Sequence, residues 1–247
     1  MNEYTKDYLL DKQVQIFQPI NGYRASTDAV MLSSAVSKVK DGDTILDVGS
    51  GTGAVSLCLA SRFYSIQPQI TGLEIQPELA ELSNKSAEAN GFDGFLHYIN
   101  CDIRNKPKEI ENCSFTHVIT NPPYAEKDMP SPNAGKATAH NHNGFSLKGW
   151  IDFCIKMIKP KGWFYIVNRA EAVNEILSDI HGKLGHIEII PLYSKTGQKA
   201  KRVIIRAQKD NHTATAVLPP FIIHEADGSY TGQAQKILRS GSGFDEV

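Results

Sequence analysis

Four residues near the middle of the chain, Asn121-Pro122-Pro123-Tyr124, combine the groups needed to hold a planar amino nitrogen. Two prolines fix φ and remove two backbone donors, which leaves carbonyl acceptors facing outward. Asn121 adds a side-chain carbonyl and Tyr124 a flat ring. Two acceptors beside an aromatic face suit a planar –NH2, such as the exocyclic amine of adenine. Asn-Pro and Pro-Pro dipeptides also mark rigid turns, so the context upstream has to separate the two readings.

That context is Asp47-Val48-Gly49-Ser50-Gly51-Thr52-Gly53. Glycines at every second position allow positive φ and a close approach of backbone to ligand. The spacing is G-x-G-x-G, which differs from the G-x-G-x-x-G of dinucleotide sites. Glu74 follows 21 residues after Gly53, with Ile75 next to it, and an acid about 20 residues on is the expected ligand of ribose hydroxyls. Asp102 and Ile103 come after a further apolar run. The acid could accept from an adenine amino group and the isoleucine could cover the ring. Glycine turn, Glu74, Asp102 and Asn-Pro-Pro-Tyr, in that order, point together to a nucleoside-type cofactor beside an amino acceptor.

Each of these groups stands at the end of an apolar run. Strands are predicted over 44–48, 69–74, 96–101, 116–120, 163–168, 186–192 and 202–208. Helices are predicted over 53–62, 77–90, 147–158 and 171–184. Alternating strands and helices imply a parallel sheet covered on both faces, and ligands of such sheets bind beyond the carboxyl ends of the strands. The last two strands lie close in sequence, which allows an antiparallel pair at the sheet edge. Asn90-Gly91 and Pro160-Lys161-Gly162 read as helix stops. Residues 1–40 read as an appendage on the cofactor cleft, with a strand or hairpin arm at Val14–Gln18 and an amphipathic helix from Asp28 to about Lys38, capped by Thr27 or Asp28. The remainder, 41–247, reads as one domain. The irregular stretch from Ala125 to about Phe145 is a candidate lid or substrate loop.

The bulk properties narrow the class. With 247 residues the chain can bury a full core. Cys58, Cys101, Cys113 and Cys154 show no C-x-x-C spacing and read as reduced thiols of a cytoplasmic protein. No metal site is expected, and the close pair His140 and His142 reads as solvated. No run approaches the ~18 apolar residues of a membrane span. A net charge of −1 is not the footprint of a general nucleic-acid binder. Basic residues are local, however. Lys195, Lys199, Lys201 and Arg202 fall within eight positions, and Lys156, Lys159 and Lys161 form a second group. Either cluster reads as a solvated face or as a set of phosphate contacts.

Taken together, these motifs resemble the class I S-adenosylmethionine-dependent methyltransferases of the Asn-Pro-Pro-Tyr group, which methylate planar amino nitrogens. Three further segments narrow the resemblance to the bacterial tRNA(Val) adenine-N6 methyltransferase family: Gly22 to Leu32, Lys195-Thr196-Gly197-Gln198-Lys199-Ala200 with Arg202-Val203-Ile204-Ile205, and Pro219-Pro220-Phe221-Ile222-Ile223-His224 with Asp227-Gly228-Ser229-Tyr230-Thr231. One departure stands out: many relatives carry an Arg-His-Glu-like segment where this chain has Ala139-His140-Asn141-His142.

The resemblance implies an α/β, Rossmann-like, seven-stranded mostly parallel sheet with an antiparallel edge strand and helices on both faces. It implies S-adenosyl-L-methionine as cofactor, with Asp47, Gly49, Gly51, Gly53, Glu74, Ile75, Asp102, Ile103 and Asn121 around it. Tyr23, Arg24, Thr27 and Asp28 would close the cleft. Asn121, Pro122 and Tyr124 would hold the acceptor base, in tRNA next to the anticodon at position 37. Tyr124, Lys195, Lys199, Lys201 and Arg202 would contact the RNA. Glutamine-N5 methylation of a protein and guanine-N2 methylation of rRNA use similar chemistry and are the alternatives. From another class come a dehydrogenase and a non-catalytic nucleotide-binding protein.

Overall fold

The structure, a computed structural model, describes residues 3–22, 24–123 and 145–247. Eleven strands and six α-helices are assigned among them. The chain opens with a hairpin, β1 (Tyr4–Leu9) and β2 (Val14–Pro19), paired antiparallel. Its turn needs three consecutive left-handed residues, Leu10, Asp11 and Lys12. Then come α1 (Thr27–Ala35), β3 (Thr44–Val48), α2 (Ala54–Arg62), β4 (Gln69–Glu74), α3 (Pro77–Ala89), β5 (Leu96–Asn100) and β6 (Phe115–Thr120). The second half runs α4 (Leu147–Met157), β7 (Ile158–Arg169), α5 (Val173–Ile180), β8 (Leu184–Tyr193) and β9 (Arg202–Lys209). Two two-residue strands, β10 (Ala216–Val217) and β11 (Phe221–Ile222), and helix α6 (Gly232–Ser240) follow.

The main sheet has the order β10-β8-β9-β7-β6-β3-β4-β5, with β11 also on β8. The fold class is the expected one, although the sheet has nine strands because β10 and β11 extend it. β9 is antiparallel to both β7 and β8. It therefore lies inside the sheet, one place in from β8, and the edge on that side is made by β8, β10 and β11. The short link between β8 and β9 can only reverse the chain, because a parallel return needs a long crossover. The Pro160-Lys161-Gly162 stop also moves: α4 already ends at Met157, and those residues lie within the span of β7.

Apolar side chains alternate between the two faces. On β7, Trp163, Tyr165 and Val167 enter one core with α1, α2 and α6. Phe164 and Ile166 enter the other, with α4 and α5. Phe164 and Tyr165 are fully buried, and burial of a side chain of this size contributes roughly 1.5–3 kcal/mol. The N-terminal hairpin is fastened to α3. The Phe17 N–H donates to Ser86 Oγ at 2.9 Å, and Gln15 exchanges hydrogen bonds with the Asn90 side chain at 2.9 and 2.7 Å.

From β3 the chain builds outward through β4 to β5, then returns and builds the other way through β6 to β7. The reversal falls between β3 and β6, and the crevice beyond the carboxyl ends of those strands is where sheets of this type bind ligands. Among the described residues no helix is long and apolar enough to cross a membrane, and no group of side chains is arranged to hold a metal ion. Cys58, Cys101 and Cys154 are buried, Cys113 is exposed, and all four are free.

Candidate active site

Register brings the motifs into one row. Val48 pairs with Leu73 on one side and Thr120 on the other, and Glu74 pairs with Asn100. One step beyond, Asn121, Gly49, Glu74 and Asn100 follow one another across the carboxyl edge. Neighbouring strands lie ~4.8 Å apart, so Asn121 stands one strand spacing from the start of the glycine loop.

That loop is held by backbone. The N–H groups of Gly49 and Ser50 both donate to the Leu73 carbonyl at 2.9 Å, and the Gly53 N–H donates to the Ser50 carbonyl at 2.9 Å. Gly49, Gly51 and Gly53 have φ of 72°, 57° and 81°, a left-handed conformation that costs any other residue energy. Glu74 is only 5 % exposed. Its Oε2 accepts from the Gly51 N–H at 2.9 Å and its Oε1 from the Gln76 N–H at 2.8 Å. The Gln76 side chain and the Ile75 N–H also act on this carboxylate. Burial raises the pKa of Glu74, against the hydrogen bonds that lower it.

Asp47 lies beneath the loop, 1 % exposed, with Oδ2 accepting from Ser56 Oγ at 2.6 Å. Burial pushes its pKa up to about 6, and the nearby Glu74 charge adds to the rise. Tyr98, which the sequence did not single out, supports the loop from below. Its hydroxyl donates to the Gly53 carbonyl at 3.1 Å. A Cβ on Gly53 would meet the Tyr98 hydroxyl at 2.5 Å, and one on Gly72 would meet its ring at 2.3 Å. Both glycines therefore make room for one ring. The buried hydroxyls of Ser50 and Thr52 have no hydrogen-bond partner among the described residues. Left-handed backbone, two buried hydroxyls without a partner among the described residues and a buried acid at the strand end fit the polar part of a nucleoside-type cofactor.

On the acceptor side, Thr120 is buried and Asn121 half-buried. The Thr120 hydroxyl donates to the Val48 carbonyl at 2.9 Å and accepts from Trp150 Nε1 at 2.6 Å. The Trp150 ring lies against Gly49, where a Cβ would come within 2.6 Å of Cζ2. Phe145 packs beside it with ring centroids 6.2 Å apart. Trp150 thus bridges the residue before Asn121 and the first glycine of the loop. No motif marks it; its only signal was an aromatic residue in the first turn of the helix that follows the Ala125–Phe145 stretch.

The other predicted residues sit as follows. The Asp102 carboxylate is clasped by Arg104, with Nε at 2.9 Å from both oxygens and Nη2 at 2.6 Å from Oδ2, and its Oδ1 also accepts from the Arg104 N–H at 2.9 Å. These bonds hold its pKa below the usual carboxylate range. Ile103 is half-buried, and Ile75 is 43 % exposed at the rim. Arg24 pairs with Asp7 at 2.7 Å. Ser26 takes the N-cap of α1, Thr27 is its first residue, and Asp28 Oδ2 accepts from Arg202 Nε at 2.8 Å. Lys195 donates to the Ala226 carbonyl at 2.9 Å. Lys199 and Lys201 are exposed, and together with Arg169, Glu171, Gln198 and Arg202 they line an open pocket of ≈ 580 Å³. Tyr23, Tyr124, His140 and His142 lie outside the described residues.

The chain is similar to known methyltransferases. Residues 39–208 match the family model described as a methyltransferase domain. The chain is 29 % identical over 233 residues to a tRNA1(Val) (adenine(37)-N6)-methyltransferase of Shewanella baltica, covering 92 % of this chain and 95 % of the relative. It is 27 % identical to the protein of the same name from Dyadobacter fermentans, over 88 % and 89 % of the two chains. A like-named protein of Shewanella halifaxensis is 30 % identical over 67 % of each. Among solved structures, a predicted O-methyltransferase of Agrobacterium tumefaciens superposes with a TM-score of 0.73 at 23 % identity, covering 88 % of this chain and 98 % of that one. A T. thermophilus 16S rRNA N2 G1207 methyltransferase, in complex with AdoMet and guanosine, superposes with a TM-score of 0.58 at 16 % identity, over 84 % and 50 % of the chains.

Proposed function

The chain belongs to the methyltransferase-domain family, and from that premise we propose that it methylates the exocyclic N6 amine of an adenine in tRNA, at position 37 of tRNA(Val), using S-adenosylmethionine. Relatives matched over most of their length carry that activity in their names. The observation that carries the reading is the register of β3 with β6, which sets Asn121 beside Gly49.

Bound S-adenosylmethionine supplies a sulfonium methyl group for in-line displacement by the amine. The glycine loop lets the methionine end pass close to the backbone, Asp47 and Ser56 order that loop, and Glu74 accepts the ribose hydroxyls. Asp102 and Ile103 take the adenine of the cofactor, with Ile75 at the rim. An adenine amine has its lone pair delocalised into the ring and is a poor nucleophile. Asn121 Oδ1 and the Pro122 carbonyl each accept one N–H, which holds the nitrogen with its lone pair aimed at the methyl carbon and stabilises the positive charge that develops there. The proton becomes acidic only after attack, so no strong base is needed beforehand. Tyr124 stacks on the extruded base, worth about 1–3 kcal/mol. Extrusion costs a few kcal/mol, and less from a loop than from a duplex. Residues 1–40 cover the cofactor side, and the protein works in the cytoplasm with its RNA.

The test is incubation with labelled methyl donor and total tRNA from a methylation-deficient strain, followed by nucleoside mass analysis. N6-methyladenosine is the expected product. Asn121→Ala should abolish it while leaving cofactor affinity near wild type. Methylation of guanine N2 or of a protein glutamine, with no N6-methyladenosine, would overturn the proposal.

A further inference from the structure

The pocket at the end of β7 lies apart from the groups assigned above to the transfer. Arg169 is the last residue of β7 and pairs with Arg202, the first of β9. Two arginines therefore meet at one corner of the sheet, and Lys199 and Lys201 of the β8–β9 link join them in the lining. The chain as a whole carries a net charge of −1, so this concentration of four cations is local.

Its position relative to Asn121 follows from the register. Thr120 pairs with Ile166, so Asn121 falls level with Val167 and Arg169 lies two residues further out on the adjacent strand. That is one strand spacing across, ~5 Å, and roughly 7 Å outward. The glycine loop is on the opposite side of Asn121. A base held between Asn121 and the glycine loop would leave the Arg169 side of Asn121 for the flanking backbone. The lining differs from the basic set read from the sequence, because Lys195 is directed to the Ala226 carbonyl and Arg169 joins instead. Arg202 is held in place by Asp28 at 2.8 Å. Glu171 shares the rim; its charge disfavours a doubly charged phosphate and leaves a singly charged phosphodiester as the matching anion.

We propose that Arg169, Lys199, Lys201 and Arg202 form a subsite for one backbone phosphodiester flanking the adenine to be methylated. This rests on the tRNA reading above and adds where the strand is gripped.

The experiment uses the full chain and an anticodon stem-loop RNA, in wild type, Arg169→Gln and Lys199→Gln/Lys201→Gln. Each variant should lower kcat/KM for the stem-loop about tenfold, as expected for loss of a charged hydrogen bond. The slope of log affinity against log salt should fall by about 0.7 per cation removed, and affinity for S-adenosylhomocysteine should be unchanged. A neutral methylphosphonate at the gripped linkage should slow the wild type by a similar factor and slow Arg169→Gln no further. Additive losses at every linkage, or a stem-loop methylated equally well by both variants, would overturn the subsite alone. If the wild type methylates no adenine in the stem-loop or in tRNA, the functional reading falls first and the subsite with it. Should Arg169→Gln fail to bind S-adenosylhomocysteine, the exposed lysine pair decides the matter.

Discussion

Replacing Asp47 by Asn should stabilise this protein in the absence of cofactor. Asp47 is buried under the glycine loop, with the Ser56 hydroxyl on Oδ2. Burial raises its pKa from 3.8 to about 6. The native state then holds the proton more tightly than the unfolded chain. Its contribution to stability is full below 3.8 and is lost as pH rises through about 6. At pH 7.5 the buried charge costs ~3 kcal/mol. Asn keeps an acceptor for Ser56 and has no charge to bury. Urea unfolding followed by circular dichroism should show Asp47→Asn more stable by ~3 kcal/mol at pH 7.5, narrowing to about 1 kcal/mol at pH 4.5. A variant no more stable than wild type at pH 7.5, or a gain of equal size at both pH values, would refute the reasoning.

Two further substitutions probe the loop and its neighbour. Gly72→Ala places a Cβ 2.3 Å from the Tyr98 ring, which is tied to Gly53 by its hydroxyl; urea unfolding should show a loss of about 1–3 kcal/mol, and an unchanged midpoint would mean the ring is free to move. Trp150→Phe keeps a ring against Gly49 but removes the N–H that bonds Thr120 Oγ1. Stability should fall by about 1 kcal/mol and kcat should fall more than cofactor affinity, measured by steady-state kinetics and calorimetry; equal effects on both would leave Trp150 a packing residue only.

The parallel strands were legible because each is an apolar run closed by a polar or glycine-rich turn, and their order set the row from Asn121 to Asn100. The place of β9 was not, because nothing in Arg202–Lys209 says which of two flanking strands it will join. β10 and β11 are two residues each, too short for any period to register. The glycine loop could be recognised from its spacing, but the reason for Gly72 could not, since it depends on Tyr98 arriving from the neighbouring strand. Trp150 was missed for the same kind of reason: its contact with Gly49 spans about a hundred residues and its contact with Thr120 spans 30. Arg169 stood alone in sequence and joins the basic group only because antiparallel pairing aligns it with Arg202.

The chain contains two tryptophans. Trp163 is buried, with the Lys38 ammonium 4.8 Å from its ring centroid, while Trp150 touches the first glycine of the loop. One indole is thus a constant internal reference and the other sits where a ligand would change its surroundings. The molecule carries its own optical reporter, and the change in ultraviolet emission on adding a nucleoside can be read without a dye or a label.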